Sequence, residues 1–260
     1  MSGLNVRIDE KRFDDVSVVR DLAFSAQNGE FLALVGPSGA GKSTLLNMIS
    51  GLDTDFVGSV CWDDQPLYAA GQSPAHLGMM FQEPRLMPWL STLDNVSLVL
   101  SDPHAERQRA IALLQEVGLG DVLEAWPSQL SGGMQRRVSL ARAFVVAPRL
   151  LLMDEPFVSL DMPTGNRLRD LLLALWQRDR PLVLFVTHDL REALALADRV
   201  LFLSPSPSRV MLDYTVPLER PRRLEGTDIA RLQEELFRQH PDLLSGVLAT
   251  QEAVAGGVKE

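Results

Sequence analysis

Short apolar runs recur along the chain in a way that suits a layered fold. The run "EFLALVG" at 30–36 is apolar through its middle and ends in glycine, which is typical of a strand buried on both faces of a sheet. The same pattern returns in "RLLLMDEP" (149–156), "PLVLFVTHD" (181–189) and "RVLFLS" (199–204). These runs predict the buried strands of one core sheet.

Between the apolar runs, other stretches repeat their apolar residues at helical spacing. The stretch "KSTLLNMISGL" (42–52) puts four of them on one helical face: Leu45, Met48, Ile49 and Leu52. Gly51 lies where that helix would end, and "GNRLRDLLLALWQ" (165–177) is a second helical pattern. Strands that alternate with helices predict an α/β fold with a mostly parallel core sheet.

Two regions depart from this alternation. Before the first run, "LNVRIDEKRF" (4–13) and "VSVVRDLAFSAQNGE" (16–30) alternate apolar and polar residues, as half-exposed antiparallel strands do. Residues from about 72 to 146 are mostly helical in pattern; within them "HAERQRAIALLQEVG" (104–118) carries an apolar stripe of Ile111, Leu114 and Val117 that stops at Gly118. We therefore expect an antiparallel β subdomain and an inserted helical subdomain at about 72–146.

The C-terminal part is interrupted by prolines. Pro205, Pro207, Pro217 and Pro221 predict turns or extended segments. The stretch "TDIARLQEELFRQ" (227–239) then predicts a surface helix capped by Thr227 or Asp228. The final "ATQEAVAGGVKE" (249–260) is expected to be flexible. We divide the chain into a main domain at 1–225 and a C-terminal helix with a flexible tail at 226–260.

Composition narrows the class of protein. A chain of 260 residues with 46% hydrophobic content has enough apolar side chain for a sizeable core. Its net charge of -9 argues against a protein that coats nucleic acid. No apolar run is long enough for a membrane span, and the N-terminus lacks the apolar core of a signal peptide, so a cytosolic location is expected. Cys61 is the only cysteine, which excludes an internal disulfide and suggests a buried or half-buried bystander.

The stretch "GPSGAGKST" follows the first predicted strand and fits G-x-x-x-x-G-K-[ST]; we call it the phosphate loop. Its residues are Gly36, Pro37, Ser38, Gly39, Ala40, Gly41, Lys42, Ser43 and Thr44. In such a loop the glycines let backbone N–H groups converge on a phosphate, and the following helix adds its positive dipole. We predict that Lys42 reaches the β- and γ-phosphates and that Ser43 binds Mg²⁺.

Polar residues end two other predicted strands. Asp154 at the end of "LLLMD" would be a costly unpaired charge, and coordination of Mg²⁺ would remove that cost. The adjacent Glu155 is suitably placed to polarise an attacking water, although a solvated turn is the alternative for an isolated Asp–Glu pair. His188 ends "LVLFVTH" at the sheet edge where ligands gather, either as a packed or capping residue or as a hydrogen-bond partner of the γ-phosphate.

The stretch "LSGGMQRR" (130–137) raises a question, because it looks like a second phosphate-binding segment in one chain. Taken alone, it could equally be a helix-capping turn. The set "GPSGAGKST", "FQEPRLMPW", "LSGGMQRR", "LLLMDEP", "SLD" and "THD", in this order, resembles the ATP-binding subunit of an ABC transporter. The resemblance covers about residues 4–205 and implies a P-loop NTPase of ABC type.

The resemblance implies further roles. Phe13 would stack on adenine, with simple strand packing as the alternative, and Gln82 would contact Mg²⁺ and the attacking water. The γ-phosphate held by a partner chain would be contacted by Ser131, Gly132, Gly133, Gln135 and Asp161. Two ATP molecules would then join two chains head to tail, in a homodimer or with a related ATP-binding subunit, and hydrolysis would release them. The second phosphate-binding segment is thereby explained, since each segment serves a different nucleotide.

The motifs are also similar to the nitrate, sulfonate and taurine importer group, through "EPRLMPWLSTLDNV", "LSPSPSRV" and "PLERPR". That similarity implies an ATPase at the cytoplasmic face of the membrane, working with separate permease subunits and, indirectly, a solute-binding receptor. Some of the residues at 86–90 would cradle a coupling helix of the permease, with a buried core segment as the alternative. The alternative function is a soluble ABC ATPase that acts as a scaffold or remodelling protein.

Overall fold

The computed structural model describes residues 3–68, 76–241 and 243. The strands are β1 (Gly3–Phe13), β2 (Val16–Gln27), β3 (Phe31–Val35), β4 (Val57–Trp62), β5 (Gln65–Pro66), β6 (Leu77–Met80), β7 (Leu150–Asp154), β8 (Leu182–Thr187), β9 (Arg199–Leu203) and β10 (Val210–Thr215). The helices are α1 (Lys42–Ser50), α2 (Thr92–Ser97), α3 (Arg107–Glu116), α4 (Gly132–Phe144), α5 (Met162–Asp179), α6 (Leu190–Leu196) and α7 (Thr227–Gln239). The chain forms two compact units, Met1–Pro74 with Leu182–Glu260, and Ala75–Pro181.

The first unit contains an antiparallel sheet in the order β2-β1-β4-β5, of which β1 and β2 were predicted and β4 and β5 were not. Strands β1 and β2 pair from Gly3 with Gln27 to Phe13 with Val16. Lys11 pairs with Val19 whereas Arg12 pairs with Ser17, so Val18 is an extra residue that forms a bulge in β2. Bulges redirect side chains, and this one directs Val18 toward the phosphate loop, as described below.

The core sheet of the first unit has the order β10-β9-β3-β8. Strand β3 is parallel to both β8 and β9, and every residue of β3 and β8 is buried. Burial of each large apolar side chain contributes about 1.5–3 kcal/mol to the free energy of folding. Strand β10 runs antiparallel to β9 at the edge, where its residues are only half-buried or exposed, and the apolar pattern did not predict it.

Helix α7 is the last of these elements along the chain and belongs to the first unit. It begins at Thr227, so the cap position falls on Gly226 and no side chain caps the helix. The prediction that Thr227 or Asp228 would cap it was wrong, because both already have helical backbone and an N-cap side chain must come from the residue before the helix. Its apolar face buries Ile229, Leu232 and Leu236. The expected flexible stretch at 249–260 lies outside the described residues.

In the second unit, β6 and β7 pair in parallel. The helices α2, α3, α4 and α5 belong to the same unit. Helix α3 is followed by its cap Val117 and by Gly118 in a left-handed conformation, as the predicted stop requires. Strand β6 lies inside the stretch that was expected to be mostly helical, and the start of that stretch, at 72–75, lies outside the described residues. None of the helices in the described ranges is both long and apolar enough to cross a membrane.

Candidate nucleotide-binding site

The phosphate loop joins β3 to α1 in the first unit. Gly39 and Gly41 have φ of 78° and 77°, a left-handed conformation that glycine adopts without strain. Lys42 is 6% exposed, and its Nζ donates to the carbonyl oxygens of Gly36 and Pro37, both at 2.8 Å. A side-chain carbon added at Gly39 would meet nothing within 4 Å. The loop therefore has open space above its backbone beside a fixed ammonium group, an arrangement that fits a polyphosphate.

His188 lies at the same edge of the core sheet as the phosphate loop. Val35 at the end of β3 is the register partner of Thr187 at the end of β8. Gly36 and His188 thus leave the sheet from neighbouring positions, and the side chain of His188 is exposed. The adjacent Asp189 caps α6 through bonds from the N–H groups of Arg191 and Glu192. The backbone around His188 is therefore held firmly, and the residue is exposed.

The β1–β2 hairpin approaches the start of α1. A side-chain carbon added at Gly41 would lie 2.9 Å from Cγ1 of the bulged Val18, so only glycine fits between them. Phe13 ends β1 and is 50% exposed, which is more than strand packing alone would leave. An exposed aromatic ring on a hairpin that contacts the phosphate loop suits a nucleobase.

In the second unit, parallel pairing brings Gln82 near Asp154 and Glu155. Met80 at the end of β6 is the register partner of Met153, the residue before Asp154. Gln82 is exposed, whereas Asp154 and Glu155 are half-buried. Glu155 has a φ of 44°, a strained conformation for a side chain of this type that is often found at functional sites.

Two arginines of α4 hold the segment around Gln82. Arg136 donates to the carbonyl oxygens of Phe81 and Val158, both at 3.3 Å. Arg142 donates to those of Pro84 and Arg85, at 2.7 and 2.8 Å. Burial lowers the pKa of both guanidinium groups, yet each remains charged at neutral pH. The motifs did not predict these two residues; the pattern that indicates Arg136 is its position on the apolar stripe that Leu140 and Ala143 continue.

The signature loop, which we define as residues 130–135, precedes and begins α4. Ser131 is the N-cap, and its Oγ accepts from the N–H of Met134 at 3.3 Å. Ser131 and Gly132 are exposed. The Nε2 of Gln135 donates to the carbonyl oxygens of Pro127 and Leu130, at 2.9 and 3.3 Å. The amide of Gln135 therefore supports the loop from within.

The start of α5 lies beside the start of α4. Asp161 caps α5 by accepting from the N–H of Thr164 at 3.3 Å, and hydrogen bonds with Thr164 lower the pKa of its carboxyl. A side-chain carbon at Gly133 would lie 2.5 Å from Cγ2 of Thr164, so the approach of the two helices requires glycine.

A concavity of about 340 Å³ opens between these helix starts. Its lining includes Ser131, Thr164, Arg137 and Arg167. Burial lowers the pKa of Arg137, and the nearby positive charge of Arg167 lowers it further. Two helix N-termini and two guanidinium groups make this surface positive.

Comparison with known proteins identifies the family. A family model described as ABC transporter matches residues 19–158. The chain is 45% identical, over 251 residues, to the aliphatic sulfonates import ATP-binding protein SsuB 2 of Burkholderia cenocepacia, covering 94% of this chain and 90% of the relative. The chain belongs to the ABC transporter family. A second relative, the aliphatic sulfonates import ATP-binding protein SsuB of Cupriavidus pinatubonensis, is 41% identical over 256 residues, with 97% and 83% coverage.

Solved ABC proteins share the fold. A dimeric structure of the ATP-binding cassette MJ0796, in a post-hydrolysis state bound to ADP and Pi, superimposes with a TM-score of 0.70 at 29% identity, over 84% of this chain and all of that one (100%). The expected ABC-type α/β fold is thereby confirmed. The chain is an ABC ATPase that binds and hydrolyses ATP. The alternative of a soluble scaffold or remodelling ATPase is not favoured, because these relatives are subunits of importers.

Proposed function

We propose that the chain powers the import of an aliphatic sulfonate or a related small anion through separate permease subunits. The observation that carries the ATP-dependent part is the register of β3 with β8, which puts the phosphate loop and His188 at one sheet edge. The names of the relatives support the choice of import and of solute. The chain would act peripherally at the cytoplasmic face of the membrane and would depend indirectly on a solute-binding receptor.

In the proposed reaction, Glu155 is the general base. Glu155 is half-buried, directly follows the buried strand β7 and has a left-handed backbone, which supports the role of a base that must be held in one position. Gln82 orients the attacking water, and His188 donates a hydrogen bond to the γ-phosphate. The position of Gln82 is supported by the contacts that Arg136 and Arg142 make with its neighbours.

Mg²⁺ is the proposed cofactor, and it would neutralise charge that develops on the phosphates. Ser43 is exposed at the first turn of α1 and offers a hydroxyl oxygen, while Asp154 offers a carboxylate at the end of β7. Gln82 is the third proposed ligand, through its amide oxygen. Such a set suits Mg²⁺, which prefers oxygen ligands and usually takes only one or two carboxylates from the protein.

The signature loop is proposed to bind the nucleotide of a second chain. Ser131, Gly132 and Asp161 are exposed beside the positive concavity, where they are accessible to a partner's triphosphate. Gln135 would act from within the loop, through the amide that supports Pro127 and Leu130. The partner would be a second copy or a related ATP-binding subunit, and ATP would stabilise the pair by contacting both chains.

The permease is proposed to dock at residues 86–90. None of these residues is buried, and Trp89 is 67% exposed, so they do not form a core segment. The side chain of Asn95 is 0% exposed and donates to the carbonyl oxygens of Met87 and Leu90, while its own oxygen accepts from the N–H of Met87. A buried amide thus shapes a loop that presents an exposed tryptophan, and such residues are enriched at interfaces.

Membrane co-purification tests this function. From solubilised membranes the tagged chain should bring down a polytopic membrane protein, and Trp89→Ala should reduce the yield of that partner. Trp126→Ala is the matched control, because Trp126 is the other exposed tryptophan in the described part of the second unit. Recovery with cytosolic proteins alone would overturn the importer assignment. Uptake of a labelled alkanesulfonate by cells with and without the chain tests the solute separately.

A further inference from the structure

Lys11 is a buried cation in β1, a strand whose other charged side chains are exposed or half-buried. Its side chain is 2% exposed, although lysine is almost never fully buried unless it is paired. The Nζ donates to Oδ1 of Asp53 at 2.9 Å and to the carbonyl oxygen of Asp55 at 2.6 Å. Both partners lie just after α1, the helix that begins at the phosphate loop.

The same ammonium group lies against the ring of Phe13. Its Nζ is 4.6 Å from the ring centroid, within the range of a cation–π contact. One side of the ring is thereby occupied, and the side chain as a whole is still 50% exposed. The positive charge also attracts the π-electron density of the ring. This reduces the electrostatic repulsion that a stacked base would meet on the opposite face.

Asp53 connects this contact to α1. The N–H of Asp53 donates to the carbonyl oxygen of Asn47 within α1, at 3.1 Å, and Oδ1 of Asp53 accepts from the N–H of Asp55 at the same distance. The Nζ of Lys11 is therefore held by residues that follow the helix of the phosphate loop, and the same group lies against the ring of Phe13. The ring and the loop are linked through one buried charge.

We propose that Lys11 is a positioning residue for the nucleobase: it fixes the ring of Phe13 so that its open face receives adenine. This inference rests on the proposed role of Phe13 in stacking on ATP. The contacts of Lys11 are with Asp53, Asp55 and Phe13 and not with the phosphate loop, so its effect should be confined to the base end of the nucleotide. A lysine that merely stabilised the fold of α1 would affect phosphate binding as well.

The test compares ATP with tripolyphosphate, which has the phosphates but no base. Lys11→Met keeps the length of the side chain and removes the charge; it should weaken ATP binding about three- to tenfold and leave tripolyphosphate binding unchanged within about twofold. Lys11→Met combined with Asp53→Asn also removes the carboxylate that the single variant leaves unpaired. This double variant should show the same selective loss of ATP binding, so the result does not depend on whether the unpaired carboxylate destabilises Lys11→Met. Arg12→Met is the control, because Arg12 is an exposed neighbour on β1.

A double-mutant cycle separates the two roles. Phe13→Ala should weaken ATP binding selectively, and Lys11→Met should have no further effect on ATP in that background. An equal loss of ATP and tripolyphosphate in Lys11→Met, or a full effect of Lys11→Met in the absence of the ring, would overturn the positioning role. A Phe13→Ala variant with unchanged ATP binding would instead overturn the stacking role on which the inference rests.

Discussion

The phosphate loop and the signature loop both place glycines at the start of a helix, but their polar groups are arranged differently. In the first, Lys42 is buried and bonded to two carbonyl oxygens of its own loop. In the second, Ser131 and Gly132 are exposed, and the arginines beside them line an open concavity.

The glycines where the two helices start, Gly41 and Gly132, differ in the same way, whereas Gly39 of the phosphate loop is open and Gly133 of the signature loop is confined. Gly41 has a left-handed backbone and lies against Val18, so it is confined on two counts. A side-chain carbon at Gly132 would meet nothing within 4 Å. The phosphate loop therefore has a buried cation and a confining neighbour within its own unit, whereas the signature loop has an exposed surface, as the proposed binding of a partner's nucleotide would require.

The largest loss of activity is expected on substitution of Glu155. Because Glu155 belongs to neither loop, its substitution should slow hydrolysis without weakening ATP binding. Glu155→Gln keeps the shape of the side chain but removes the base, and kcat should fall by a factor of about 10² to 10⁴. Steady-state ATPase assays beside equilibrium ATP binding measure the two effects. A fall in ATP affinity as large as the fall in kcat would contradict the assignment of Glu155 as base.

Ser131→Ala tests the proposed role of the signature loop. One hydrogen bond to a charged phosphate is worth about 1.5–3 kcal/mol, so turnover should fall roughly ten- to a hundredfold. ATP binding by the isolated chain should not change, because the serine would serve the partner's nucleotide. Since Ser131 also caps α4, the unfolding midpoint must be recorded as a control. Equal losses of turnover and binding would mean that Ser131 acts within its own chain.

Gly41→Ala tests the phosphate loop, and Gly132→Ala in the signature loop is the matched comparison. A left-handed conformation costs an alanine about 1–2 kcal/mol, and the contact with Val18 adds to this cost, so ATP affinity should fall about tenfold or more. Gly132→Ala should leave the affinity of the isolated chain unchanged within about twofold. Isothermal titration of both variants gives the comparison. Equal effects would show that the two loops do not differ as described.

The smallest effect concerns Asp161. Its folded-state pKa is lowered by hydrogen bonds with Thr164, so its contribution to stability is fully present above the unfolded pKa of about 3.9. That contribution is lost as the pH falls through the lower, folded pKa. Thermal unfolding should therefore show Asp161→Ala less stable than the parent at pH 7, with the difference shrinking as acid is added. A difference that does not depend on pH would rule out this ionised cap.

The sequence predicted the elements in which one physical signal dominates. Buried strands such as β3 and β8 have uninterrupted apolar runs, and the phosphate loop has glycines where the backbone is left-handed. Strands β4, β5, β6 and β10 were missed because short or half-exposed strands carry weak apolar patterns.

Lys11 was missed for a different reason. In an alternating strand a lysine is expected to face water, and only the later Asp53 explains its burial. The arginines of α4 likewise find their partners far along the chain. Such long-range pairs have no local pattern, so the candidate site was predicted by its motifs while its supporting contacts were not.

Above all, we propose that each ATP is bound by the phosphate loop of one chain and the signature loop of another. Light scattering of the Glu155→Gln variant at saturating Mg-ATP, with and without Ser131→Arg, tests it most directly. We predict a dimer for Glu155→Gln, and a monomer that still binds ATP when Ser131→Arg is added. An ATP-dependent dimer that survives Ser131→Arg, or a Glu155→Gln variant that stays monomeric, would contradict the account.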